Sequence, residues 1–246
     1  AYTAVEGRLD DDSRAKGNFE QHGFVPTVGV ASLPDYAFDP VATDVSAGIP
    51  IIVGSNLHEM AYFFRSDPLI HERALTEAQL RERVRIMVGD QTDRVLETYD
   101  RVYRDASPAV RYILMVSDRT YRFDSIQLAQ RKAAQGAAPV WMYLFAWESP
   151  VDEGRMLAHH ALEIAFAFDN VTKAPDMSGG GPRAQALADR MSDAWIAFAR
   201  SGDPNVSKLP SWSPYAPPER ATMVFDDENR VVDDPHADIR RLWATV

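Results

Sequence analysis

The chain reads as an α/β protein with few central strands and many covering helices. Two apolar runs, Ile51-Ile52-Val53-Gly54 and Val140-Trp141-Met142-Tyr143-Leu144-Phe145-Ala146-Trp147, are short, continuous and rich in β-branched or aromatic residues. Runs of that kind suit strands buried on both faces of a mainly parallel sheet. Long stretches with helical spacing lie between and after them. The order strand, helices, strand, helices builds a helix-covered sheet. Two core strands are too few for a stable parallel sheet, so further strands are expected from outside this sequence.

The elements follow in order. Residues 1–23 are polar, carry Asp10-Asp11-Asp12-Ser13-Arg14 and show no apolar period, which reads as loop. Phe24-Val25-Pro26-Thr27-Val28-Gly29 reads as a short edge strand, where a proline is tolerated. A proline-punctuated stretch leads to Pro50 and the first core strand. Helical character resumes over Glu59–Phe64, and Thr76-Glu77-Ala78-Gln79 is a capping signal ahead of Leu80. Asp93–Tyr103 and Pro108–Ala134 read as helices, the second with Ala109, Ile113, Val116, Tyr121, Ile126 and Ala129 at apolar positions. The second core strand is bounded by Pro139 and by Glu148-Ser149-Pro150. Ser178-Gly179-Gly180-Gly181 lacks the lysine of a phosphate-binding loop and reads as a flexible loop. Pro182–Arg200 is an amphipathic helix, with proline in its first turn and Gly202 just past its end. Thr222–Phe225 and Arg230–Val232 read as two short strands around a polar turn, and a helix over His236–Trp243 follows.

Composition excludes more than it identifies. A length of 246 residues with 46% hydrophobic content suits one domain, or a large part of one, with a sizeable core. A formal charge of −10 argues against nucleic acid or an anionic membrane as partner. The sequence has no cysteine, which rules out disulfides, thiolate metal sites and a cysteine nucleophile. That fits a cytoplasmic or a secreted bacterial setting alike. No apolar run approaches the ~18 residues that a membrane span requires.

The chemistry-bearing residues sit just after the two core strands. Glu59 is placed at the carboxyl edge of the sheet, where open α/β sheets put their sites. A carboxylate there can fix a histidine tautomer and stabilise the imidazolium; its ordinary role would be to start a helix. His160 follows the second strand after a charged loop of a dozen residues and precedes an apolar helix over 161–168. From there it can reach the same edge as general base and then acid, although many histidines at such positions only cap or face solvent. His159 and His58 are rivals that spacing alone does not separate. A carboxylate followed by a histidine is the second and third member of a Ser–acid–His triad in α/β-hydrolase chain order. The first member is missing, because the sequence contains no G-x-S-x-G. Glu163 with His160 and His159 offers a metal-ligand set too incomplete to expect a metal, and no cofactor is expected. The aromatic residues Tyr62, Phe63 and Phe64 follow Glu59 and serve as core residues or as the lining of a cleft.

Taken together these segments resemble the C-terminal half of the type-B carboxylesterases, the family of para-nitrobenzyl esterases and cholinesterases. Pro50 to Glu59 is similar to the strand leading to the family's catalytic acid. Ser117-Asp118 with Tyr121-Arg122-Phe123, then Val140 to Pro150, resembles the helix and strand before its histidine. His160-Ala161-Leu162-Glu163-Ile164-Ala165-Phe166-Ala167-Phe168 is similar to the histidine motif, and Trp195 to Asn205 to the late helix and its exit. Trp212-Ser213-Pro214-Tyr215 and Met223-Val224-Phe225-Asp226 resemble the closing segment. The resemblance runs from about Phe24 to Trp243. It implies the C-terminal part of a single α/β-hydrolase domain over residues 1–246, its sheet completed by a missing N-terminal segment. It implies Glu59 as acid and His160, rather than His159, as base, with Tyr62, Phe63 and Leu162 beside the substrate. The nucleophilic serine and oxyanion hole are then expected on a preceding segment or a separate chain, with a small ester as substrate. On that reading this chain alone would not hydrolyse esters. The alternative is a catalytically inactive adhesion or binding module on the same fold, as in neuroligin-like members.

Overall fold

A four-stranded sheet in the order β1-β2-β3-β4 organises the protein, seen in a computed structural model that describes residues 28–246. The expected loop over 1–23 and most of the edge strand at Phe24–Gly29 lie outside the described residues. Strand β1 (Ile51–Asn56) pairs in parallel with β2 (Val140–Phe145), Ile51 opposite Val140 and Asn56 opposite Phe145. Strand β2 pairs in parallel with β3 (Ala221–Phe225), and β3 turns back into antiparallel β4 (Arg230–Asp233). The 221–225 segment is not only half of a hairpin: all its residues are buried, and it is a third core strand. The hairpin with Arg230–Asp233 hides this, because only the register shows that its other edge bonds to β2.

Strand β2 is apolar throughout because helices cover both of its faces. Alternate residues separate cleanly. Val140 and Met142 pack in one apolar cluster with Ile126, Ala129 and Tyr215. Trp141 and Phe145 join Phe166, Leu187, Met191, Trp212 and Phe225 in another. Each Leu or Met buried in this way contributes roughly 1.5–3 kcal/mol. The run ends earlier than its composition suggests. Past Phe145 the backbone amides of Ala146 and Trp147 both turn to the Phe225 carbonyl, so the ladder stops there.

The long crossover from β1 to β2 holds helices α1 (Met60–Phe63), α2 (Pro68–His71), α3 (Glu77–Val88), α4 (Thr92–Val102), α5 (Pro108–Ser117) and α6 (Phe123–Gln135). The Thr76–Gln79 capping box is formed as read. The segment 108–134 is not one helix, however. A five-residue π-turn over Asp118–Arg122 separates α5 from α6. Its cause is a buried demand: Asp118 and Arg122 both turn inward and pair there. Helix α6 is anchored by Lys132, which is fully buried and donates to the carbonyls of Ser46 and Ala47 and to the Gln135 amide oxygen.

Between β2 and β3 lie α7 (Leu162–Ala167), α8 (Pro175–Ser178) and α9 (Pro182–Ser201); α10 (Ala237–Trp243) follows β4. The glycine run after α8 is structured where a flexible loop is expected. Ser178 Oγ donates to Val171 and Ala174 carbonyls and accepts from the Gly180 amide, and Gly179 takes φ +70° to end the helix. Among the described residues no helix is long and apolar enough to cross a membrane.

Strand β1 differs from its neighbours. Its only sheet partner among the described residues is β2, and Ile51, Ile52, Val53 and Gly54 are only half-buried. Among the described residues it is an apolar edge. Gly54 is required on its paired side, since a Cβ there would lie 2.4 Å from the Tyr143 carbonyl oxygen and 2.5 Å from its ring.

Candidate active site

The site grows from the turn that follows β1. The Leu57 amide donates to the Phe145 carbonyl at 2.8 Å and extends the β1–β2 pairing by one residue. The His58 amide reaches the Ala158 carbonyl at 3.0 Å. This brings the turns after β1 and before α7 edge to edge. Glu59 then starts α1, a helix of four residues, yet its carboxylate does not cap it. The first helical amide, on Met60, is satisfied by Ser117 Oγ at 3.0 Å, leaving the carboxylate free to face the other way.

Glu59 is 5% exposed, and each of its oxygens has a defined partner. Oε1 accepts the Asn56 backbone N–H at 2.7 Å. Oε2 meets His160 Nδ1 at 2.7 Å. A carboxylate that accepts there places the histidine proton on Nδ1 and leaves the Nε2 lone pair for another group. Nε2 has no hydrogen-bond partner among the described residues, and the imidazole is 39% exposed. The hydrogen bond to Glu59 raises the His160 pKa above its ordinary value, against the lowering effect of partial burial.

Two aromatic rings flank that imidazole. Phe63 lies 5.1 Å from it and Tyr121 5.2 Å, centroid to centroid. Tyr62 stacks instead on His159 at 5.9 Å and carries the Arg65 guanidinium 3.9 Å from its ring. Leu162 is fully buried in the apolar cluster under β2, so the surface beside His160 is made by Phe63 and Tyr121.

Neither rival histidine touches the carboxylate. His159 is buried with Nδ1 2.9 Å from the His160 carbonyl, and burial lowers its pKa. His58 is buried and its pKa is pushed down to about 3, by burial first and by Arg73 second. Glu163 bonds through Oε2 to Asn56 Nδ2 at 2.5 Å, and burial raises its pKa. Among the described residues no group of three or more His, Asp or Glu is arranged to hold a metal ion.

Three participants are absent from the sequence reading of the site: Asn56, Ser117 and Tyr121. Tyr121 is hidden because helical periodicity through 108–134 gives no sign of the π-turn that carries it. Asn56, three residues before Glu59, carries no signal beyond its place in the motif.

Known proteins match this chain along most of its length. The model of the carboxylesterase family matches residues 7–243. The para-nitrobenzyl esterase of Bacillus subtilis is 27% identical over 92% of this chain and 44% of its own length. The phenmedipham hydrolase of Pseudarthrobacter oxydans is 28% identical over 85% of this chain and 41% of its own. Among solved structures, a Geobacillus stearothermophilus carboxylesterase superposes with a TM-score of 0.67 at 33% identity, covering 80% of this chain and 41% of that one. An esterase from Clostridium hathewayi gives 0.66 at 25% identity, covering 98% and 46%. The chain thus spans less than half the length of these relatives. With an α/β-hydrolase sheet, these matched segments and a family model spanning nearly its whole length, this chain belongs to the carboxylesterase family.

Proposed function

We propose that this chain supplies the acid and the base of a serine carboxylesterase, Glu59 and His160, and that the nucleophilic serine and oxyanion donors lie on a preceding segment or separate chain. The observation that carries this reading is the 2.7 Å contact between His160 Nδ1 and Glu59 Oε2, with Nε2 left open. The apolar open edge of β1 supports it, since such an edge calls for another strand. Residues 1–246 would then form the C-terminal part of one hydrolase domain.

In the reaction, His160 Nε2 takes the proton of the serine hydroxyl as its oxygen attacks the ester carbonyl. Glu59 holds the ring and stabilises the imidazolium. The imidazolium returns the proton to the departing alcohol, leaving an acyl-serine. Water then enters by the same proton route and releases the acid. Phe63 and Tyr121 beside the imidazole favour esters of apolar character.

The test treats the native preparation with a serine-directed fluorophosphonate and reads the denatured intact mass of every polypeptide. Label on a serine outside residues 1–246, together with loss of label in His160→Gln, supports the reading. A preparation in which this chain is accompanied by its preceding segment or partner chain and still takes up no label overturns it and leaves a non-catalytic binding module.

A further inference from the structure

Asn56 is the last residue of β1, is 1% exposed, and bonds both to Glu59 and to the carbonyl of His159, the residue before His160. Its backbone N–H donates to Glu59 Oε1 at 2.7 Å. Its side-chain nitrogen donates to the His159 carbonyl at 2.6 Å and to Glu163 Oε2 at 2.5 Å, using both of its hydrogens. The side-chain oxygen has no hydrogen-bond partner among the described residues. An unpaired buried oxygen is costly, so an apolar residue would be favoured here unless the two donors were needed.

The turn they hold is strained. Ala161 sits at φ +64°, a left-handed conformation that is unfavourable for any residue with a Cβ. Such a conformation persists only where surrounding bonds over-determine it. Across the gap from β1, the backbone offers His58 N–H to Ala158 at 3.0 Å and His160 N–H to Glu59 at a longer 3.3 Å. The Asn56 amide is the shortest of the cross-links, and it grips the peptide from which His160 springs.

We infer that Asn56 is a positioning residue for ester hydrolysis: its backbone amide orients the Glu59 carboxylate while its side-chain amide fixes the His159–His160 peptide, so that one residue sets the approach of acid and base. This inference rests on Glu59 and His160 being that acid and base. Glu163 serves as the far anchor of the same amide.

The test uses the intact esterase with its serine-bearing segment. Asn56→Ala should lower kcat by roughly 10- to 100-fold with KM little changed, because misplacement by a fraction of an ångström acts on the transition state. Asn56→Asp keeps the shape, removes both donors and sets two carboxylates together; it should lose at least as much. Adding Glu163→Gln to Asn56→Asp restores a donor between the two positions and should recover part of kcat. A purely structural role would instead lower the melting temperature and leave kcat per folded molecule intact, and that result overturns the inference. Proton NMR of the His160 Nδ1–H, assigned by its loss in His160→Gln, separates the two claims. If Glu59→Gln leaves that resonance in place, the acid–base reading itself fails. If Glu59→Gln shifts it and neither Asn56 variant does, only the role given to Asn56 fails.

Discussion

Two of the buried polar clusters among the described residues each contain a carboxylate and a histidine. In the first, Glu59, Asn56 and Glu163 surround His160 at the end of the sheet. In the second, Asp118 accepts from the Tyr99 hydroxyl at 2.7 Å and pairs with Arg122 at 3.3 Å. Arg122 and Tyr103 both reach His236 Nδ1, and Trp243 Nε1 donates to Tyr99. The difference is in what remains open. His160 keeps the Nε2 lone pair open and its pKa is raised, whereas the His236 Nδ1 lone pair faces Arg122 Nη1 at 3.0 Å and burial, aided by Arg122 and Arg230, pushes the His236 pKa to about 3. Here the two clusters are told apart by whether the histidine lone pair stays open and its pKa is held up or down, not by buried charge.

The largest break in this comparison should come from Glu59→Gln. The intact esterase is expected to lose on the order of 10⁴-fold in ester turnover with its circular dichroism unchanged, because the wrong tautomer is then favoured. Asp118→Asn should do the reverse. It leaves Arg122 buried beside a neutral partner and should cost ~3–5 kcal/mol in urea unfolding, with turnover per folded molecule unchanged.

The pH dependence should divide the clusters by sign. An unfolded chain takes up a proton at His236 below about pH 6.5, while the folded one refuses it until about pH 3. Stability is therefore lost as pH falls through that window, and the denaturant midpoint should drop accordingly. His160 works the other way. Its stabilising charge is present below 6.5 and disappears as pH rises through the raised folded value. Turnover should climb over that same rise, and Glu59→Gln should move the climb to lower pH.

Gly54→Ala sharpens the comparison from the backbone side. The added methyl meets a carbonyl of the neighbouring strand, so β1 must shift; a loss of ~1–3 kcal/mol in thermal unfolding is expected, with some loss of turnover because Asn56 moves too. The smallest effect should come from Asp93→Asn, which removes an exposed ion pair with Arg81. Less than ~1 kcal/mol is expected by the same measurement.

Local signals in the sequence were legible where local physics decides. The Thr76 box, the proline that opens α9 and the apolar runs of β1 and β2 all specify their own backbone. What escapes reading is set at a distance. The rank of Ala221–Phe225 as a core strand depends on a parallel neighbour whose first residue lies over 80 positions earlier. The π-turn depends on burying Asp118 against Tyr99, and the order of the 178–181 segment depends on Val171 and Pro150. The pairing of Glu59 with His160 belongs to this second kind. Motif resemblance singles out those residues, while the bond between them is a fact of tertiary structure, as are the hydrogen bonds of Asn56.

The couple is separated by 101 positions in the sequence, which fixes when it can first exist. At a synthesis rate of about 5–20 residues per second, Glu59 emerges from the ribosome roughly 5–20 s before its histidine does. Closing a loop of that length costs roughly 4 kcal/mol in chain entropy, so the contact cannot nucleate folding. Helices α3 to α5, with their short-range contacts, are able to form in the interval. The Glu59–His160 contact can then form only after β2 has emerged, and β3 and β4 follow it in synthesis.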